Sequence, residues 1–170
     1  MRIRAQLGDI TTFSGDALVN AANSTLLGGG GVDGAIHAAA GPELLAQCRA
    51  LREREYPDGL GVGQAVATQA GNLRARWVIH TVGPNRHAGE TDPALLASCF
   101  TSSLRVADDL GARTVAFPAV GAGVYGWDAH EAGRIAVAAV RAARTQVAEV
   151  TFVLFSPRVL AAFEEALAGR

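Results

Sequence analysis

Two asparagines, a run of glycines and an aspartate lie close together in the first quarter of the chain. Apolar residues 17–19 lead into Asn20 and Asn23, four glycines occupy 28–31, and Asp33 precedes an Ala-rich helical pattern. Glycines let the backbone adopt positive φ and let a ligand approach the main chain, so several N–H groups can contact one anion. The following helix adds free N–H groups and the positive end of its dipole. This stretch predicts an anion-binding loop.

Asp33 has two possible roles at this position. A carboxylate at the mouth of an anion site repels the anion unless it has another task. Aspartate is also a favoured N-cap, and the helical pattern begins near Gly34. From the residues alone, capping and a functional role are equally open.

A second glycine-rich loop follows an apolar segment, 114–119, and precedes an Ala- and Val-rich helix. It reads Gly-Ala-Gly-Val-Tyr-Gly over 121–126, which satisfies the G-x-G-x-x-G pattern of dinucleotide-binding folds. That fingerprint normally opens the first βαβ unit, whereas here only a helix, a strand and a helix remain after it. The next predicted strand, 147–155, also has no acid at its end to bind a ribose. These two features disfavour a dehydrogenase.

The two loops together indicate what kind of molecule would bind. Each leaves the carboxyl end of a predicted parallel strand, so both should open on the same edge of the sheet, where α/β folds bind ligands. Neither loop contains Arg or Lys, which suits a diphosphate held between two organic groups better than a terminal triphosphate. Asn20 and Asn23 suit ribose hydroxyls. Tyr125 and Phe155 are candidates to pack on a sugar or base, although Phe155 fits an ordinary core position equally well.

The remaining hydrophobic patterns predict strands that alternate with helices. Residues 2–7 place Ile3, Ala5 and Leu7 inward and polar residues outward, as in an edge strand. The alternation predicts a single α/β domain over 1–170, with helices on both faces of a sheet that is parallel in its middle. The other predicted strands are 17–19, 63–69, 77–82, 114–119 and 147–155, and the predicted helices are 34–40, 43–55, 93–110, 128–144 and 158–167.

Two isolated polar residues also need an interpretation. Asp9 lies in the turn Gly8–Thr12, where its side chain fits either a turn-forming role or an acceptor for a ligand amine. His80 lies inside a predicted strand between apolar neighbours, which favours a hydrogen-bonded core residue over a catalyst.

Composition excludes several classes of function. The net charge is -1 and basic residues form no run, so nucleic acid is disfavoured as a partner. All 15 basic residues are arginine, which removes both Schiff-base chemistry and a phosphate-loop lysine. Cys48 and Cys99 each lie in an apolar helical pattern, as expected of buried, reduced thiols. With no signal-peptide core and no apolar run of about 18 residues, we expect a cytoplasmic protein without a membrane partner.

Five motifs, in order along nearly the whole chain, resemble macrodomains of the MacroD-like branch. They are Gly8-Asp9-Ile10-Thr11, Asn20-Ala21-Ala22-Asn23, Gly28 to His37, Ile79 to Pro84, and Phe117-Pro118 through Gly126. The resemblance implies a three-layer α/β/α fold with a mixed sheet of six or seven strands. It also implies that the ligand is ADP-ribose.

The resemblance further implies a role for each matched position. Asp9 and Ile10 would contact the adenine, which Phe155 and Ser156 would border, while the two glycine loops would bind the diphosphate. The implied ligand-binding residues are Asp9, Ile10, Ala22, Gly30, Gly31, Val32, Gly121, Ala122, Gly123, Val124, Tyr125 and Phe155, and the implied catalytic residues, beside the distal ribose, are Asp33, Asn23 and Asn20.

The implied activity is hydrolysis of two kinds of ester of the distal ribose. One is mono-ADP-ribose on acidic side chains of proteins, and the other is O-acetyl-ADP-ribose. Asp33 would activate or position the attacking water, unless a substrate phosphate takes the proton. We expect a monomer that needs no cofactor. A non-catalytic reader of ADP-ribose is the alternative, and action on ADP-ribosylated DNA bases is a more distant one.

The sequence departs from the family pattern in three places. Gly121-Ala122-Gly123 replaces a common Ser-Thr-Gly, which removes two hydroxyls that can bond phosphate. Trp127-Asp128 replaces a common Tyr-Pro, so Asp128 rather than proline should begin the next helix. No Cys/His cluster resembles that of the zinc-dependent relatives, and a catalytic metal is not expected.

Overall fold

A computed structural model describes residues 1–169, and a sheet of six strands forms its centre. The strand order is β1-β6-β5-β2-β4-β3, and every neighbouring pair is parallel except the antiparallel pair β3 and β4. The mixed sheet predicted from the resemblance is therefore confirmed, with β1 at an edge. The strands are β1 (Arg2–Leu7), β2 (Gly15–Ala22), β3 (Ala65–Gln69), β4 (Ala75–Val82), β5 (Thr114–Phe117) and β6 (Glu149–Leu154).

Five helices cover the two faces of this sheet and complete the three layers. Two pack on one face, and the other three pack side by side on the opposite face. Within residues 1–169, no helix is long and apolar enough to cross a membrane. The helices are α1 (Gly31–Ala40), α2 (Pro42–Arg54), α3 (Pro93–Leu110), α4 (Ala129–Ala142) and α5 (Pro157–Ala168).

The central strands are mostly apolar because both of their faces are buried, and Asn20 and His80 are polar exceptions within them. Successive residues of β2 point to opposite faces, so Ala17 and Val19 pack with α3 and α4 while Leu18 packs with α1 and α2. The core on the α3–α5 side contains four phenylalanines whose neighbouring ring centroids lie 5.2 to 6.2 Å apart: Phe100, Phe117, Phe152 and Phe163. Cys48 and Cys99 are buried free thiols, as predicted.

Two element boundaries near the site and the exposure of Leu7 differ from the sequence-based expectations. β2 continues to Ala22, so Asn20 is a strand residue rather than part of a turn. α1 begins at Gly31 and not near Gly34, because glycines at its start concealed a helical turn. Leu7, predicted to face inward, is 52% exposed because it ends an edge strand that has a neighbour on one side only.

The topology brings the predicted site residues to one edge. Strands β1, β6, β5, β2 and β4 are mutually parallel, so their carboxyl ends lie together. Asp9 follows β1, both glycine loops follow central strands, and Phe155 follows β6. Residues far apart in sequence thus meet along a single edge of the sheet.

The aromatic cluster generates a stability prediction with an internal control. Phe152 has no exposed surface and contacts three other rings, whereas Phe155, three residues later, is 80% exposed. Phe152→Ala should lower the free energy of unfolding by about 3–5 kcal/mol, since it removes a buried ring and leaves a cavity. Phe155→Ala should change it by less than about 0.5 kcal/mol. Urea denaturation measures both, and equal losses would contradict this assignment of the core.

Candidate functional site

The first glycine loop ends in a helix whose N-terminus has no side-chain cap. Gly30 is the N-cap residue of α1 and contributes no side chain, so the first N–H groups of the helix remain free to bind an anion. The loop lies directly against the helix, because a Cβ on Gly34 would sit 2.6 Å from the carbonyl oxygen of Gly29. Only glycine permits this approach. The predicted Gly30, Gly31 and Val32 therefore belong to one helix N-terminus.

Asp33 is a buried residue in the first turn of α1. The capping interpretation is wrong, since the helix begins two residues before Asp33. Its carboxylate is 5% exposed, and Oδ1 accepts a 2.8 Å hydrogen bond from Nδ2 of Asn20. Nε2 of His37, one helical turn later, lies 3.4 Å from the same oxygen. The positive end of the helix dipole also favours a negative charge here.

The second carboxylate oxygen of Asp33 faces the glycine loop. A Cβ on Gly29 would lie 3.3 Å from this Oδ2 and 3.1 Å from Nδ2 of Asn23. Asn23 itself ties the loop together, since its Nδ2 donates to the carbonyl of Gly28 at 3.0 Å and its Oδ1 accepts from the N–H of Thr25 at 3.1 Å. One oxygen of Asp33 is thus held by the protein, and the other is directed toward the loop.

His80 lies behind this carboxylate in the core. It is fully buried, and its ring nitrogens lie 3.1 Å from Nδ2 of Asn20 and 2.9 Å from Oγ1 of Thr68. Burial, and then the nearby charge of His37, lower the pKa of His80 to about 3. The prediction of a hydrogen-bonded core histidine is confirmed, but its bond to Asn20 was not foreseen.

The second glycine loop follows β5, the parallel neighbour of β2, so it leaves the same edge of the sheet as the first. Tyr125 is partly buried there, and burial, followed by the charges of Glu90 and Asp33, raises its pKa. Val124 is 85% exposed. Within residues 1–169, the N–H groups of Val124 and Tyr125 have no hydrogen-bond partner. Gly121, Ala122 and Gly123 precede them in the same turn.

Trp127, one of the departures from the family pattern, anchors this loop. Its ring is buried, Nε1 donates to the carbonyl of Pro84 at 2.9 Å, and the guanidinium of Arg86 lies 4.8 Å from the ring centroid. Its N–H donates to the carbonyl of Gly121 at 3.2 Å. As predicted, Asp128 caps α4, accepting from the N–H groups at 130 and 131. Trp127 therefore holds the second glycine loop in place, and Asp128 begins the helix that follows it.

The residues predicted to contact adenine lie at the far end of the same edge. Oδ1 of Asp9 accepts from the N–H of Thr11 at 2.9 Å, so Asp9 has the turn-forming role that the sequence allowed. Ile10 and Ala22 are buried beneath the edge. Phe155 is 80% exposed, which makes the core interpretation of this residue wrong and leaves its ring face available to a ligand.

Sequence reasoning missed three members of this site, His37, His80 and Thr68. His37 had a recognisable signal, because a residue four positions after Asp33 lies on the same helical face. His80 and Thr68 had none within their own segments, since only strand pairing brings them to Asn20. Among residues 1–169, no group of three His, Cys, Asp or Glu side chains could hold a metal ion.

The depressed pKa of His80 predicts a pH dependence of stability. The unfolded state binds a proton below the ordinary value of 6.5, whereas the folded state resists protonation until about 3. Stability present above pH 6.5 is therefore lost as the pH falls, by about 1.4 kcal/mol per pH unit for one proton. Between roughly pH 4 and 6, His80→Asn should reduce the slope of the unfolding free energy against pH by the amount that corresponds to about one proton. Urea denaturation across pH tests this, and parallel curves would contradict it.

Comparison with known proteins supplies a family. The Macro domain model matches residues 19–136. A macro domain-containing protein of Streptomyces coelicolor is 61% identical, over 92% of this chain and 92% of its own length. An O-acetyl-ADP-ribose deacetylase of Klebsiella pneumoniae is 48% identical, over 96% of this chain and 94% of its own.

A solved structure agrees with these sequence matches. The Oceanobacillus iheyensis macrodomain with ADP has a TM-score of 0.91 and 40% identity to this chain, covering 96% of this chain and 88% of that one. A mutant of the same macrodomain with ADPR gives a TM-score of 0.91 at 39% identity, covering 98% and 90%. The family match, the relatives and the shared fold agree: this chain belongs to the macrodomain family.

Proposed function

We propose that this protein binds ADP-ribose along the carboxyl edge of its sheet and hydrolyses esters of the distal ribose. The observation that carries the proposal is the position of Asp33. A buried carboxylate, held through one oxygen, lies at an uncapped helix N-terminus beside the first glycine loop. A site for diphosphate binding alone has no use for a negative charge at this point.

The shape of the edge suits each part of ADP-ribose. Free N–H groups at the start of α1 and at Val124 and Tyr125 face the diphosphate from two sides. Phe155 offers an exposed ring to the adenine, near Asp9 and Ile10. ADP and ADPR in the Oceanobacillus structures support this ligand class. The distal ribose then lies toward Asp33.

The reaction is an ester hydrolysis in which water attacks the acyl carbon. The oxygen of the attacking water forms a new bond to the acyl carbon, and the bond between that carbon and the ribose oxygen breaks. The proton lost by the water passes to the departing ribose oxygen, so that ADP-ribose and a carboxylic acid are released. Oδ2 of Asp33 accepts a hydrogen bond from the water and orients it, or takes its proton. A phosphate oxygen of the substrate is the alternative proton acceptor. Tyr125, on the second glycine loop, packs against the distal ribose on the side away from Asp33.

Two substrates fit the same chemistry. Mono-ADP-ribose on a glutamate or aspartate side chain and O-acetyl-ADP-ribose are both esters of the distal ribose. The name of the Klebsiella relative supports the second. We propose the first because the glycine loop beside Asp33 is exposed at the edge of the sheet, where a modified protein side chain can reach the site. De-ADP-ribosylation of proteins is therefore included in the proposal.

The charge of Asp33 provides the direct test. Asp33→Asn keeps the size of the side chain and an oxygen for Asn20 to bind, but removes the negative charge. Turnover should fall by about 100-fold or more, the contribution of a positioned acid or base. The Kd for ADP-ribose should stay within about threefold, since the diphosphate contacts are made by backbone N–H groups. The rates are those of ADP-ribose release from a protein modified on glutamate or aspartate, and of acetate release from O-acetyl-ADP-ribose.

Asp9→Ala serves as the matched control at the other end of the ligand. It should raise the Kd for ADP-ribose in calorimetry and leave the rate at saturating substrate unchanged. Full turnover in Asp33→Asn would contradict the catalytic role. A wild-type protein that binds ADP-ribose but releases nothing from either substrate would instead support a reader module.

A further inference from the structure

Four buried polar side chains form a line through the core from β3 to the candidate site. Thr68, His80 and Asn20 lie on β3, β4 and β2, and Asp33 on α1 packs over them. Their exposed fractions are 7%, 0%, 0% and 5%. Asn20 and His80 are partners in the parallel register, while Val78 and Thr68 are partners in the antiparallel one. The two ladders place Thr68 beside His80, 12 positions away, and His80 beside Asn20, 60 positions away, in one line with Asp33 at its end.

The carboxylate of Asp33 fixes the hydrogen positions along this line. Oδ1 of Asp33 accepts, so the group facing it at 2.8 Å must be the NH₂ of Asn20. The same nitrogen lies 3.1 Å from Nδ1 of His80, and two donors cannot face each other. Nδ1 is therefore unprotonated and accepts the second N–H of Asn20. The proton of the neutral imidazole is on Nε2, and it donates to Oγ1 of Thr68 at 2.9 Å.

Asp33 and His80 are thus the two acceptors that orient the amide of Asn20. Nδ2 uses both hydrogens, whereas Oδ1 of Asn20 is buried without a partner among the described residues. Nothing therefore holds the amide through its oxygen. Rotating the amide by 180° would point Oδ1 at both the carboxylate of Asp33 and the lone pair of His80. The amide stays in place because two acceptors face its nitrogen.

The surroundings keep the imidazole neutral. His37 lies on α1 with its ring centroid 6.4 Å away, and Sγ of Cys48 on α2 lies 3.8 Å from Nε2. Burial raises the pKa of the Cys48 thiol to about 11, so it is uncharged at neutral pH. Burial lowers the pKa of His80 itself. A core position that only needed filling would be occupied more favourably by an apolar residue, since buried polar groups lose hydration.

We propose that His80 is a positioning residue for hydrolysis. It accepts a hydrogen bond from Asn20, and Asn20 in turn holds Oδ1 of Asp33, which leaves Oδ2 to contact the water. Thr68 accepts the hydrogen bond from the protonated Nε2 and so stabilises this tautomer of His80. The inference rests on the proposed function of Asp33. It extends that function to two residues, His80 and Thr68, that do not touch the substrate.

Two substitutions at His80 separate positioning from core filling. His80→Leu fills the core with an apolar side chain but removes the acceptor for Asn20. His80→Asn places a carbonyl oxygen where Nδ1 was. We expect His80→Leu to lower kcat at least tenfold and to change the Kd for ADP-ribose less than threefold. His80→Asn should recover kcat to within about threefold of wild type, although it leaves the larger cavity. If His80 only filled space, kcat would instead be higher in His80→Leu than in His80→Asn.

Thr68→Val and Thr151→Val form a matched pair. Both threonines are buried, and their strands lie two places from β2 on opposite sides. Thr68→Val removes the acceptor for Nε2–H and should lower kcat severalfold, whereas Thr151→Val should leave it unchanged. Equal effects would overturn the role of Thr68.

Nitrogen NMR of the wild-type ring gives a test that does not depend on turnover or on folding of a variant. The proposal requires an unprotonated Nδ1 and a protonated Nε2 at neutral pH, and an Nδ1–H tautomer would overturn it. If the wild type hydrolyses neither ester, the proposed function fails whatever the tautomer. If it does hydrolyse one and His80→Leu retains full kcat, only the positioning role fails.

Discussion

The hydrogen bond from Asn20 to Asp33 is the interaction on which the site depends. It joins the end of a central strand to the first turn of a helix, and it holds one oxygen of a buried carboxylate so that the other faces the glycine loop. The carboxylate also benefits from the helix dipole. Without this bond, the negative charge of Asp33 would be free to turn away from the proposed diphosphate site. Asn23 holds the first glycine loop beside this carboxylate, because its side chain donates to the carbonyl of Gly28.

The sheet supplies the rigidity that this interaction needs. Five parallel strands end at one edge, and the helices on both faces exclude water from Asn20 and His80. In such an environment hydrogen bonds are stronger, and an unpaired polar group costs more. The second loop is held by other means. Trp127 bonds to Pro84 and stacks with Arg86, so Tyr125 is presented across from Asp33 although the chain lacks the common Tyr-Pro at this point.

Much of this arrangement was predictable from the sequence, because local patterns determine it. Hydrophobic alternation located the strands, and the glycine loops with Asn20, Asn23 and Asp33 indicated the site. The start of α1 was misjudged because glycine is a poor helix former, which made Gly31 resemble loop. The contact between His80 and Asn20 was not predictable, since the register that forms it joins residues 60 positions apart. The exposure of Phe155 likewise depends on where β6 ends relative to its neighbours.

A double-mutant cycle between His80→Leu and Asn20→Ala tests the central claim most directly, with kcat on an ADP-ribosyl ester as the readout. If His80 acts on Asp33 only through Asn20, then His80→Leu should lower kcat at least tenfold in the wild type but less than twofold once Asn20 is alanine. The effects of the two substitutions on kcat are then non-additive, as expected of residues in one hydrogen-bond network. Equal losses in both backgrounds would show that His80 affects the reaction independently of Asn20, and would contradict the account.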